Sequence, residues 1–432
     1  MTGLSYQASL DFLFNLEKSG IKLGLDRTLA LLAEVGDPHL GFRSIHVAGT
    51  NGKGSVACFL NSILHHDGQV SGLFTSPHLV DYRERIRTGG RAITRRDLTR
   101  LVGRLAPAIR GTSVSYFEAT TVLAFEHFVR KKVETAVVEV GMGGRLDSTN
   151  VLRPEVSCIT SIGLDHTRYL GRTLSMIAAE KAGIIKPEVP VVCGALPARA
   201  SETIRRIARS RQSRVYEVGK DARAEVLETG MSGSVIKYAG LGGNRTYAIA
   251  SPGLHQAANA ATALLAVEVL KKGGLAVGET AVRDGLMKAF WPGRLQVLSR
   301  RPLIILDAAH NAAGARVLEK ALRAMRVKAD VTVFGALRDK DYRRMLSTLS
   351  EVSAGFVLTR PASNRALPVA RLKEAARDLG LKAGSTASVA RALEIARDRC
   401  GGDGTMLICG SLYMIGEAME NLGYRPERVK VC

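Results

Sequence analysis

Ser44-Ile45-His46-Val47-Ala48-Gly49-Thr50-Asn51-Gly52-Lys53-Gly54-Ser55 decides how the rest of this chain is read. A β-branched apolar run enters a glycine-rich turn, Lys and Ser follow, and residues 56–64 are again apolar. That is the order of a strand, a phosphate-binding loop and a helix. Glycines let backbone N–H groups approach phosphate oxygens, and the positive end of the helix dipole faces the same point. Gly49, Thr50, Asn51, Gly52, Lys53, Gly54 and Ser55 are therefore candidate nucleotide contacts. Lys53 is placed to neutralise the β/γ-phosphates, and the Ser55 hydroxyl to sit on Mg²⁺. The spacing is irregular: only Thr50 and Asn51 separate Gly49 from Gly52, where about four residues are usual. A plain glycine turn is the alternative; the flanking strand and helix favour the phosphate loop.

The chain has 432 residues, more than one ordinary domain. Its 46% hydrophobic and 23% charged residues are those of a globular protein. No apolar run reaches the ~18 residues of a membrane span, and the N-terminal stretch lacks the basic and apolar regions of a signal peptide. The expectation is a cytoplasmic protein without a membrane partner. Six cysteines, at 58, 158, 193, 400, 409 and 432, form no CxxC pair, which argues against a zinc site or a disulfide framework. The net charge of +21 permits nucleic acid or an anionic substrate as partner. The basic residues are dispersed and aromatics are only 5%, so no stacking strip accompanies them and a nucleic-acid partner is not expected.

Short apolar runs at 45–48, 136–140, 156–162 and 189–193 alternate with helical segments, the pattern of a mostly parallel sheet covered by helices. Runs at 214–218, 224–228, 234–238 and 246–250 are separated by glycine turns and read as antiparallel. A long Ala-rich helix over 255–272 follows. Beyond Trp291-Pro292-Gly293-Arg294, strands at 303–306, 331–334, 356–359 and 406–409 form a second α/β alternation. The expected fold is α/β. Residues 1–294 form a P-loop-type, mostly parallel domain with a small antiparallel region, and residues 295–432 a Rossmann-like domain.

Polar clusters fall at predicted strand ends, where open α/β sheets bind ligands. They are Thr75-Ser76-Pro77-His78-Leu79, Glu139 to Asp147, Asp165-His166, and Asp307-Ala308-Ala309-His310-Asn311; Glu180-Lys181-Ala182-Gly183 closes a helix. A Ser hydroxyl, the Glu139 carboxylate and an imidazole could share a divalent metal, although Mg²⁺ prefers oxygen and His is unusual for it. Taken singly, a strand-end Glu is as readily a structural ion-pair partner, and a lone His a satisfied core residue. Gln256 and Asn259, three apart, share a helix face and offer a nucleotide contact; an ordinary polar first turn is the alternative.

Together these segments resemble the folylpolyglutamate synthase/dihydrofolate synthase family of the Mur ligase superfamily. The matching stretches are VAGTNGKGS (47–55), TSPHL (75–79), FEATT (117–121), EVGMGGRLDSTN (139–150), LDH (164–166), EKAGI (180–184), HQAANA (255–260), PGR (292–294), DAAHN (307–311) and FGALRDKD (334–341), in family order over nearly the whole chain. Ser148 stands where Ala is frequent in the family, and Ser55 where Thr is also common. The resemblance implies an ATP-dependent ligase: a substrate carboxylate is phosphorylated, and the amine of L-glutamate displaces phosphate. It implies ATP and Mg²⁺ at two sites, with a monovalent cation such as K⁺ as a further candidate, and a monomer. Ser76, Glu139 and His166 would hold the second Mg²⁺; Lys181 matches a position carbamylated in many members. Gln256, Asn259 and Arg294 match nucleotide or phosphate contacts, and Asp307 and His310 match residues reaching the nucleotide and the reacting centre.

The segment at 20–26 resembles the family's pterin-side loop and does not separate the family's activities. A bifunctional enzyme, acting on dihydropteroate and on folate tails, is the preferred expectation. A monofunctional folylpolyglutamate synthase, another Mur-type ligase, and a nucleotide-binding protein with a decayed ligase site are the alternatives. Intact Lys53, Glu139, His166, Lys181 and Asp307 argue against decay.

Overall fold

The computed structural model describes residues 4–20 and 22–425. Ile21 of the 20–26 segment and Cys432 lie outside the described residues. The five described cysteines are buried, and none of the described helices is long and apolar enough to cross a membrane.

The main sheet contains β1 (Arg43–Ala48), β2 (Ser71–Phe74), β3 (Ile86–Thr88), β4 (Arg91–Ala92), β5 (Thr135–Glu139), β6 (Val156–Ile159), β7 (Val191–Cys193) and β8 (Val215–Glu217). Their order is β4-β3-β2-β5-β1-β6-β7-β8. Pairing is parallel from β2 across to β8, while β3 and β4 turn back antiparallel at the edge. The strands read as continuous apolar runs because both faces are covered. In β1, Ile45 and Val47 face one core and Ala48 another; in β5, Val137 opposes Ala136 and Val138.

β9 (Arg223–Gly230), β10 (Gly233–Gly240) and β11 (Gly243–Ile249) form the antiparallel sheet. It has three strands, not the four expected. β8 pairs parallel with β7 and so belongs to the main sheet. Ile236, Tyr238, Tyr247 and Ile249 of this small sheet share a core with the Leu254–Lys272 helix, whose Ala257, Ala260 and Ala261 allow close approach.

The C-terminal sheet has β12 (Gln296–Arg300), β13 (Leu303–Asp307), β14 (Val331–Phe334), β15 (Phe356–Leu358), β16 (Ala383–Ser385) and β17 (Thr405–Cys409), in the order β12-β13-β17-β14-β15-β16. β12 is antiparallel to β13, and the others are parallel. Alternate residues serve opposite cores: Ile305, Phe334 and Leu407 pack on one face, Ile304, Val333 and Ile408 on the other. The architecture is thus α/β, with a mostly parallel sheet, a small antiparallel sheet and a C-terminal Rossmann-like sheet. The C-terminal ends of β1, β5, β6 and β13 lead to one cleft.

Candidate active site

The phosphate loop follows β1 directly. Gly52 is the N-cap of the Lys53–His66 helix at φ 84°, ψ −8°, a left-handed backbone that favours glycine, and no side chain caps this helix. Its first N–H groups are thereby left for a ligand. A Cβ at Gly52 would collide with Asn259 Oδ1, and one at Gly54 would lie 2.7 Å from the Trp291 indole nitrogen. The loop is stitched to the segment after β6. Thr50 N–H donates to Ser161 O (2.8 Å) and Asn51 N–H to Ser161 Oγ (2.9 Å). Gly163 N–H donates to Thr50 Oγ1 (3.0 Å) and Thr160 Oγ1 to Asn51 O (2.7 Å).

The loop opens onto a cleft of about 590 Å³ between the two large sheets; the candidate nucleotide, metal and catalytic residues line it, whereas His78, Asp147 and Asn311 of the same clusters do not. Lys53 Nζ donates to Gly49 O (3.1 Å) and Thr50 O (3.4 Å), folded over its own loop. Lys181 Nζ donates to the same Gly49 O at 2.9 Å. Burial, then the charge of Lys53, pushes the Lys181 amine down to about 7. Glu139, the last residue of β5, is 5% exposed and accepts the Ser76 N–H at 3.3 Å. Burial raises its carboxyl above the usual range, opposed chiefly by Lys53. His166 sits at the rim in the left-handed region, φ 49°. Among the described residues, no three His, Cys, Asp or Glu side chains converge as a metal cluster; the candidate set relies on the hydroxyls of Ser55 and Ser76 beside one Glu and one His.

The Gly141 to Asn150 segment is fixed from within. Asp147 Oδ2 accepts Met142 N–H (2.9 Å), and Asp147 Oδ1 accepts Thr149 N–H (3.1 Å) and Thr149 Oγ1 (2.5 Å). That hydroxyl in turn accepts from His46 Nε2 (2.8 Å). Gly141 allows the Phe117 ring of the FEATT segment to press against the loop.

On the other wall, Asp307 closes β13. Its carboxylate, 6% exposed, accepts Ala309 N–H (2.8 Å) and Leu295 N–H (2.9 Å), and so holds the turn carrying Arg294. Burial raises its carboxyl, with Arg294 the first opposing group. His310 Nδ1 lies 2.9 Å from Ala308 O, a contact that requires the proton on Nδ1 and leaves Nε2 as an acceptor. Burial pushes His310 down to about 4, so it is neutral near pH 7. Gln256 Oε1 accepts from Asn259 Nδ2 at 3.0 Å, the shared helix face expected of them.

Two features lie beyond what the sequence motifs signalled. Lys340 of the FGALRDKD segment reaches across the cleft to Asp165 of LDH, Nζ to Oδ1 2.7 Å. Asn311 Nδ2 bridges Asp165 Oδ2 and Asn51 Oδ1, each at 3.2 Å. The motifs marked both segments as noteworthy, but nothing in a pattern pairs residues 175 apart.

Residues 47–267 match the Mur ligase middle domain and residues 293–412 the glutamate ligase domain of Mur ligases. The chain is 35% identical to the dihydrofolate synthase/folylpolyglutamate synthase of Bacillus subtilis, over 97% of this chain and 99% of the relative. The chain belongs to the folylpolyglutamate synthase/dihydrofolate synthase family of Mur ligases. The Escherichia coli dihydrofolate synthase/folylpolyglutamate synthase is 34% identical over 96% of this chain and 95% of its own length. In structure, the chain is similar to Mycobacterium tuberculosis folylpolyglutamate synthase complexed with ADP and AMPPCP, with a TM-score of 0.90 at 32% identity, covering 98% of this chain and 100% of that one. It is also similar to E. coli FolC in complex with DHPP and ADP, with a TM-score of 0.87 at 33% identity, covering 96% and 97% of the two chains. As a family member the chain is an ATP-dependent ligase.

Proposed function

We propose that this chain joins L-glutamate to dihydropteroate and to the tail of reduced folates, using ATP, as a bifunctional dihydrofolate synthase/folylpolyglutamate synthase. The observation that carries the reading is the uncapped phosphate-loop helix opening onto the same cleft as Glu139, Lys181 and the neutral His310. In the first step a substrate carboxylate oxygen attacks the γ-phosphorus and ADP leaves, giving an acyl phosphate. In the second, the glutamate amine gives up a proton and attacks the acyl carbon, and phosphate departs. Catalysis is then positioning plus neutralisation of charge on the transferring group.

The backbone N–H groups after Gly52 and the Lys53 ammonium would take the phosphates, with Lys53 leaving its own loop carbonyls to do so. Gln256 and Asn259 would flank the nucleoside, and Arg294, held in place by Asp307, would face a phosphate. His310 Nε2 would receive the amine proton. Ser55 would hold one Mg²⁺ and Ser76, Glu139 and His166 a second. The donor chemistry fits: a buried carboxylate raised by desolvation gains most from an adjacent cation. Bound Mg²⁺ would supply charge neutralisation on the phosphate oxygens. A monovalent cation such as K⁺ is part of the same proposal. The Lys181 amine, neutral in large part near pH 7, is in the form that attacks CO₂; an N–C bond forms, a proton is released, and a carbamate anion faces the cleft. Intact-mass measurement in bicarbonate should show one added CO₂, absent in Lys181→Met.

Residues 1–294 would act as the ATP-binding part and 295–432 as the glutamate ligase part, in a cytoplasmic monomer whose partners are small molecules. The reading is tested by ADP formation that requires both L-glutamate and a pteroyl acceptor. Turnover with dihydropteroate alone, or with tetrahydrofolate alone, would reduce the assignment to one activity.

A further inference from the structure

Three side chains from the C-terminal half, together with the N–H of the neighbouring His166, converge on the Asp165 carboxylate. Lys340 Nζ lies 2.7 Å from Oδ1, and the two side chains are 6% and 10% exposed. Asn311 Nδ2 lies 3.2 Å from Oδ2, and His310 Nε2 3.9 Å from the same oxygen. His166 N–H donates to Oδ1 at 2.9 Å. The loop that carries Asp165 is itself fixed to the phosphate loop through the Thr50–Gly163 and Asn51–Ser161 bonds. Asn311 closes the circuit by reaching Asn51 Oδ1. His310 and Asn311 open the Ala312–Ala324 helix of the C-terminal half, and Asn311 caps it.

We infer that Asp165 is a positioning residue, locked by Lys340, that sets the register between the phosphate loop and His310. This rests on the ligase reading above. The two chemical steps need groups from opposite walls: phosphoryl transfer happens at the phosphate loop, amine attack beside His310. An acyl phosphate formed on one wall must meet an amine activated on the other. A misplacement of about 1 Å costs on the order of 100-fold in such a step. The Asp165–Lys340 pair spans the cleft wall at the point where both parts are within reach. Lys340 Nζ lies 2.7 Å from Asp165 and 3.7 Å from the more exposed Asp339 carboxylate, so its charge is taken up within the circuit and its place there is mechanical. Removing Lys340 leaves the largely buried Asp165 carboxylate without its ion-pair partner, which is more disruptive than losing an exposed pair.

The consequence is specific. Without the lock, the first step proceeds but the second falters, and water replaces the amine: it attacks the acyl phosphate, phosphate leaves, and the original carboxylate is regenerated. Phosphate release then outruns amide formation. The test compares the full-length wild type with Asp165→Asn, Lys340→Met, the double variant and Lys340→Arg, measuring phosphate and amide product in the same reaction. In Asp165→Asn and Lys340→Met, amide formation should fall at least about tenfold, with the KM for ATP changed less than about threefold. Phosphate released per amide should rise several-fold above wild type, and the double variant should be no worse than the worse single one, as expected of partners in one interaction. Lys340→Arg, which keeps the charge, should restore coupling; it also reports on the pair if Asp165→Asn fails to fold. Unchanged coupling in Lys340→Met, losses that multiply in the double variant, or Lys340→Arg as uncoupled as Lys340→Met would overturn the inference. A wild type that makes no glutamate amide overturns the ligase reading instead, which keeps the two failures apart.

Discussion

The two walls of the cleft are both strand-to-helix turns, yet they are finished in opposite ways. After β1 the turn is glycine-rich, Gly52 takes a left-handed backbone, and no side chain caps the helix. After β13 the turn is DAAHN, with no glycine. Asp307 takes the N–H groups of Leu295 and Ala309, and Asn311 Oδ1 accepts Gly314 N–H at 2.7 Å to cap the next helix. The first turn leaves donors for an outside anion, and the second satisfies its own. One wall is built to receive a ligand, the other to hold side chains still, and the same substitution should therefore cost function on one side and stability on the other.

Lys53→Ala probes the receiving wall and should give the largest effect. Loss of one charge-stabilising donor typically costs about 100- to 1000-fold, so ligation should fall at least that far while the melting temperature stays near wild type. Retained activity would remove Lys53 from the phosphate site. Glu139→Gln should also lose about 100-fold or more in activity, without loss of thermal stability, because an amide is easier to bury than a carboxylate. A variant that unfolds while the folded fraction keeps full turnover would make Glu139 a structural ion-pair partner instead. On the holding wall, Asn311→Ala removes a helix cap and should lower stability by about 1 kcal/mol, measured by urea unfolding; an unchanged midpoint would erase the contrast between the walls.

Much of this contrast could be read from the chain before its fold. The GTNGKGS loop and the burial of both faces of the parallel strands follow from apolar periodicity and glycine placement. Helix Leu254–Lys272 was legible within a residue. The assignment of β8 was not, because a three-residue strand carries no signal of which sheet it joins; only its pairing with β7 decides that. β3 and the edge strands β4, β12 and β16 are short or partly polar, and their pairing partners supply what their composition lacks. The site shows the same limit. Residue types at strand ends marked Glu139 and His310, and a helix end marked Lys181, whereas the engagement of Asp307 with the Leu295 N–H and the Lys340–Asp165 pair depend on long-range geometry.

A pH-dependent effect, absent near neutral pH, concerns the scaffold behind the receiving wall. His46 is fully buried, and burial, with Lys186 second, pushes it down to about 3. In the unfolded chain it titrates near its ordinary ~6.5. Between those values the unfolded state binds a proton that the folded state refuses. Stability is therefore whole above pH ~6.5 and declines as pH falls toward ~3. At pH 5 this one group should cost on the order of 2 kcal/mol, and His46→Gln should show a correspondingly flatter decline between pH 7 and pH 5. Identical slopes would show that His46 is not the group responsible.

The central claim is that the two walls cooperate in forming an amide to glutamate, and one assay reaches it most directly. Purified protein is given ATP, Mg²⁺ and L-glutamate, with dihydropteroate or tetrahydrofolate as acceptor, and both ADP and the glutamylated product are measured. The account predicts product with each acceptor, about one ADP per amide bond formed, and no product when glutamate or ATP is left out. Absence of glutamylated product with both acceptors would contradict it.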